Sequence, residues 1–194
     1  MASTFPGFDS PMADFEEPYA MLDACHERVR RSLALLDRLV EHIDESGHND
    51  ASRAAATDVL RYFELAAPQH HEDEERHVFA LLAEQGDAAL RAAVQVLRRD
   101  HERMAALWHE LRVSVSRWSR AQSSGAVDDA TRQLAAEFTA LYAQHLEREE
   151  AFVFPAAKLR SDAQRLSAMG AEMQQRRRAA DHRPQGAAKS LASP

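Results

Sequence analysis

The sequence predicts an all-α protein: an antiparallel up-down four-helix bundle followed by a short C-terminal helix and tail. Three observations carry that expectation. Of 194 residues, 45% are hydrophobic and 28% charged, yet only six are Gly and seven are Pro, too few turn-makers for a sandwich or barrel of many short strands. Apolar residues recur at alternating steps of three and four, the spacing of one helix face. The sparse turn signals, GHND at 47–50, QGD at 85–87, SSGAVDD at 123–129 and FP at 154–155, cut the chain into four long segments with short connections, as an up-down bundle needs.

The first segment carries the stripe Leu22, His26, Val29, Leu33, Leu36, Val40, Ile43. One slot of an otherwise apolar seam is a histidine. The second reads Leu60, Phe63, Ala67, His70, Glu74, then His77 or Val78, then Leu81; Pro68 lies inside it, where a missing N–H is expected to kink the helix just before the polar residues. The third runs Leu90, Val94, Leu97, His101, Met104, Trp108, Leu111, Val115, Trp118, and the fourth Leu134, Phe138, Leu141, His145, Glu149, then Phe152 or Val153. Residues 1–14 read as a flexible arm, 15–158 as the bundle, and 159–194 as a surface helix, with Leu166, Met169 and Met173 as a thin apolar face, running into a disordered tail.

The two halves repeat each other. An offset of 75 residues carries His26-Glu27-Arg28 onto His101-Glu102-Arg103, and HHEDEERHVF at 70–79 onto HLEREEAFVF at 145–154. The bundle is therefore two copies of one helix hairpin.

Histidine and glutamate in a bundle seam demand compensation, because an unpaired ionised carboxylate in an apolar core costs several kcal/mol or more. A metal ion supplies it: neutral imidazoles and carboxylates ligate directly, and the cation offsets the buried anions. In HxxxE the two side chains lie on one helix face, roughly 6 Å apart along the axis, and can converge on one ion or bridge two. The repeat then brings His26, His70 and Glu74 together with His101, His145 and Glu149. Four imidazoles and two bridging carboxylates suit two metals that share a solvent-derived oxygen, iron best, then manganese, then zinc.

The neighbours leave alternatives open. His71 and Glu75 form a second HxxxE, although the repeat favours His70, since His71 pairs with Leu146. His77 pairs with Phe152 and reads as a structural or supporting residue. Tyr142, one turn before His145, is a candidate hydrogen-bond donor to a ligand or a packing residue. The lone cysteine, Cys25, cannot close an internal disulfide and reads as a small buried side chain. His42, His48, His109 and His182 read as solvated.

Composition narrows the function. The net charge of -7 argues against general phosphate-backbone binding, although 174–183 carries a small basic cluster. The absence of a long apolar run and of paired cysteines leads to an expectation of a cytoplasmic protein with no membrane partner. It is expected to be a monomer or weak homodimer.

With His26 in CHERV, His70 and Glu74 in HHEDEERHVF, His101 in DHERM, and His145 and Glu149 in HLEREEAFVFP, the chain resembles the hemerythrin-like HHE cation-binding family over about residues 18–156. The resemblance implies a non-haem di-iron centre, two Fe ions with an oxo or hydroxo bridge, whose ligand is dioxygen, nitric oxide or a peroxide. Oxygen-carrying members use a fifth histidine on the third helix. Here the matching positions are Leu97 and Ala105, which favours reaction with or sensing of a small ligand over reversible carriage. The leading expectation is a binding and sensing module that signals through a protein partner; the alternative is a di-iron enzyme of peroxide or nitric oxide detoxification or iron-centre repair. A ferritin-like oxidase is disfavoured, because it needs two ExxH motifs in the bundle and the fourth segment has Phe152 where the histidine would stand.

Overall fold

The structure, a computed structural model, describes residues 15–120 and 125–181; the expectations for residues 1–14, for His182 and for the rest of the tail lie outside them. Local chemistry sets each helix end. Helix α1 (Pro18–Ser46) starts with proline in its first turn and stops at Gly47, whose positive φ of 69° reverses the chain. Helix α2 spans residues 50–85 and opens with a capping box in which Asn49 accepts from the Ser52 amide and Ser52 accepts from the Asn49 amide. Helix α3 (Ala88–Trp118) is capped by Asp87 and α4, residues 129–158, by Asp128.

Each of the four helices packs on its two sequence-adjacent or ring-closing neighbours: α1 on α2 and α4, and α3 on α2 and α4. The result is an up-down four-helix bundle. The seams of α1 and α3 are buried at every position named above. In α2 and α4 the seam departs from the simple pattern, because Leu60, Leu134 and Leu141 are only partly buried while Val59 and Tyr142 are buried.

Both of these helices widen into π-helical turns. In α2 the turns are Tyr62–Ala66 and Glu74–Phe79; in α4 the turn is Glu149–Val153. A π turn inserts one extra residue and rotates the residues beyond it around the helix axis, which is why Val78 and Val153 enter the core while His77 is half-buried and Phe152 exposed. The kink expected at Pro68 takes this form: the Ala67 amide reaches back five residues to Tyr62, and Pro68 starts the next α-helical stretch. FP at 154–155 is not a helix end. There the Phe154 amide bonds to Glu149, Pro155 occupies the first turn of the resumed helix, where a missing N–H costs least, and α4 continues to Lys158.

Two apolar clusters divide the interior. One, including Leu33, Phe63, Trp108 and Phe138, fills the end towards Gly47; the other, including Leu22, Phe79, Leu97 and Phe154, fills the opposite end. Between them lies a layer of buried histidine and glutamate.

Helix α5 (Ala163–Asp181) folds back along α1 and α2, burying Met169 and Met173. Its approach is close: a side chain on Gly170 would collide with the Phe15 carbonyl. Two arginines of the basic cluster are used internally, since Arg176 and Arg177 each reach the fully buried Asp73 at 2.5 Å, and nearby Glu172 takes His77 at 2.7 Å. Asp73 adjoins Glu74, so α5 braces the helix that carries the polar layer. Replacing Asp73 by Ala leaves two arginines without their shared anion and is expected to cost about 3 kcal/mol. Limited proteolysis should then cut α5 before the bundle; equal resistance in the variant would contradict the bracing role.

Candidate metal centre

The layer is built by helix register. His26 comes from α1, His70 and Glu74 from α2, His101 from α3, and His145 and Glu149 from α4; all six are buried. The structure brings all six together. One ligand atom each from His26, His70 and Glu74 lies within 4.8 Å of the others, and so do atoms of Glu74, His101, His145 and Glu149.

The carboxylates sit between the histidine pairs. Glu74 turns Oε1 to His70 Nε2 at 3.3 Å and His26 Nε2 at 3.4 Å, and Oε2 to His101 Nε2 at 3.4 Å. Glu149 turns Oε2 to His26 Nε2 at 3.3 Å and Oε1 to His145 Nε2 at 3.3 Å. These separations are long for charge-assisted hydrogen bonds. They match donors around a shared cation, since two ligands about 2.1 Å from one ion at ordinary coordination angles stand roughly 3.0–3.4 Å apart.

Unmet polar capacity supports the same reading. Glu74 Oε2 and both Glu149 oxygens have no hydrogen-bond partner among the described residues, a costly arrangement unless something binds there. Without a cation, protons do part of the work. Burial alone would lower the His26 imidazole, but the adjacent carboxylates of Glu149 and Glu74 outweigh that and push it up to about 10; His145 is pushed to about 9 by Glu149 and Asp100 against the same burial. Burial would likewise raise the Glu74 carboxyl, yet His70, His101 and His26 hold it well below the usual carboxylate range.

Around this layer the repeat is visible again. Glu150 Oε1 accepts from His26 Nδ1 at 2.8 Å while Arg30 binds its other oxygen, and Glu75 Oε1 accepts from His101 Nδ1 at 3.1 Å while Arg98 binds its other oxygen. Each glutamate fixes the imidazole of a histidine on a neighbouring helix and leaves Nε2 facing the centre. Phe154 stacks on His26 and Phe79 on His101, with centroids 5.0 and 5.4 Å apart. Sequence reasoning alone does not assign Glu75 and Glu150 this role. The available signal is the doubled glutamate, Glu74-Glu75 and Glu149-Glu150, which recurs at the repeat offset.

The remaining candidates take other positions. His71 stays out of the donor sets; it stacks on His101 at 4.0 Å, and its Nε2 pairs with the Tyr142 hydroxyl at 3.3 Å. Burial and the surrounding histidines hold it well below the usual imidazole range. His77 binds Glu172, away from the layer. Cys25 is buried, and burial raises its thiol. Two histidines expected in solvent are half-buried instead: His42 accepts from the Asn49 side-chain amide and supports the α2 cap, and His48 packs in the turn beside it. His109 is exposed.

A buried layer of four imidazoles and two carboxylates, framed by orienting glutamates in a helical bundle, defines a metal-binding protein. The hemerythrin HHE cation-binding domain matches residues 17–157, and the chain belongs to that family. An uncharacterised protein of Haemophilus influenzae is 30% identical over 165 residues, which cover 85% of this chain and 92% of the relative. No helix among the described residues is long and apolar enough to cross a membrane.

The electrostatics of the layer generate two expected outcomes. His26 and His145 rise from an ordinary 6.5 to about 10 and 9, so both hold protons at pH 7 in the metal-free protein. The stability they lend that form is complete below about pH 6.5 and is lost as pH rises through 9 to 10. Metal loading at pH 7 is expected to expel at least these two protons, and calorimetry in buffers of different protonation enthalpy should count them. Heats that do not vary with the buffer would contradict this. Separately, Glu150→Ala or Glu75→Ala should weaken metal binding about 10- to 100-fold while leaving the helical content unchanged, as read by competition with a chelator and by circular dichroism.

Proposed function

We propose that the chain holds two iron ions in this layer, one against His26 and His70 and one against His101 and His145, and that the pair binds or senses a small oxidant. The observation that supports it best is the division of each carboxylate, with one oxygen of Glu74 and of Glu149 turned to each histidine pair. That is how a bridging ligand is presented. Mixed nitrogen and oxygen donors suit iron, which when bound supplies a reversible redox change and coordination positions for dioxygen, nitric oxide or a peroxide.

The chain's own contribution is to hold, orient and shield. Glu75 and Glu150 keep the His101 and His26 rings turned inward, Phe79 and Phe154 cover those rings, and the two apolar clusters exclude water from either end. The oxygen carriers that the chain resembles have a fifth histidine on the third helix, where this sequence has Leu97 and Ala105, and its absence favours a coordination position left to an incoming ligand.

Anaerobic reconstitution should load two irons per chain, and the optical spectrum should change on exposure to dioxygen, nitric oxide or hydrogen peroxide. Glu149→Gln is expected to retain one iron. Wild-type protein that binds fewer than two irons overturns the proposal, and sustained turnover of peroxide or nitric oxide with a reductant would replace sensing with catalysis.

A further inference from the structure

The duplicated hairpins are not equivalent around the metal layer, and the differences gather at one place. Among the described π turns, Glu74–Phe79 and Glu149–Val153 are repeat mates, whereas Tyr62–Ala66 has none; positions 137–141 in the other half lie in the regular helix Asp129–Arg148. The unmatched turn edges a cavity of about 290 Å³ between α2 and α3, backed by α4. Phe63, Met104, Trp108, Phe138 and Tyr142 form its buried walls, and the exposed Ala105 lies at its mouth. His71 also lines it, with the Tyr142 hydroxyl on its Nε2 and its ring stacked on His101. Trp108 Nε1 donates to Glu64 at 3.0 Å and ties the two helices together across the opening.

On the repeat-related face two of these positions differ in a telling way. Leu146, fully packed, stands in place of His71, and Arg30, bonded to Glu150 at 2.6 Å, stands in place of Ala105. The face that holds the cavity has aromatic walls and a hydrogen-bonding pair beside the metal layer, the composition of a small-molecule site.

We propose that this cavity binds a single-ring hydroxyaromatic compound of the phenol class, its ring between the aromatic walls and its hydroxyl at the His71 and Tyr142 pair. Size supports the assignment: a cavity of about 150 Å³ already holds benzene, so one substituted ring suits 290 Å³, whereas a diatomic ligand would leave most of it unfilled. The polar pair selects the hydroxyl, because the Tyr142 oxygen, already joined to His71 Nε2, keeps hydrogen-bonding capacity that a phenol hydroxyl can use and an apolar ring cannot. The inference goes beyond the metal reading and does not depend on it, because none of the six layer residues lines the cavity.

The test is a calorimetric titration of phenol, and of toluene as its apolar counterpart, into the full chain with and without metal. Phenol should bind one to one and saturably in both forms, at least fivefold more tightly than toluene. Ala105→Arg, which copies the residue at the repeat-related position, should weaken phenol at least tenfold; Ala105→Phe carries the same expectation if the arginine variant does not fold. His71→Leu should erase the preference for phenol while still binding toluene. Non-saturable heats, phenol binding that ignores the plug at position 105, or a phenol preference that survives His71→Leu would each overturn the assignment. Normal iron loading alongside any of these results would leave the metal proposal standing.

Discussion

Two carboxylates buried in the middle of a helix bundle are the constraint around which this protein is organised. Glu74 and Glu149 are fully buried, and among the described residues histidines are what face their oxygens. Their negative charge must be answered locally, by imidazolium in the metal-free chain or by bound cations. Four histidines surround them, two glutamates orient two of those histidines, and apolar clusters seal both ends. Removing the compensation would leave anions stranded in low dielectric, so the layer and the fold stand or fall together.

Duplication supplies that layer economically, and departures from it supply individuality. The paired π turns begin at the two carboxylates themselves, at Glu74 and Glu149. A proline is not what makes them, since Pro155 comes after one and Ala80 stands at the matching place after the other. The third π turn belongs to one half alone, as do His71 and the opening beside Ala105. A symmetrical centre thereby has two unlike flanks, one of them with a cavity beside it, and that difference arises without altering any of the six central residues.

The helix α5 shows a different economy. A short segment with a weakly amphipathic pattern would be marginal alone, but Asp73 gives two arginines a single buried anchor and His77 gives Glu172 another. Two arginines of the cluster that stands out in the sequence as a separate basic patch are thus spent inside the molecule. The brace ends one residue from Glu74, which links the C-terminal helix mechanically to the polar layer.

Sequence by itself determined the helical class, the duplicated hairpin, the seams of α1 and α3, and the six polar positions, because helical periodicity and an internal offset are properties of spacing alone. It did not determine which of His77 or Val78, or of Phe152 or Val153, enters the core, nor that Glu75 and Glu150 support histidines across a helix interface. A π turn shifts register by one residue without a clear sequence mark, and an orienting contact depends on which helix lies opposite. The side chain that fills or leaves open a flank is likewise settled only when α2, α3 and α4 are packed together, because room between helices is a property of the assembly and of no single segment.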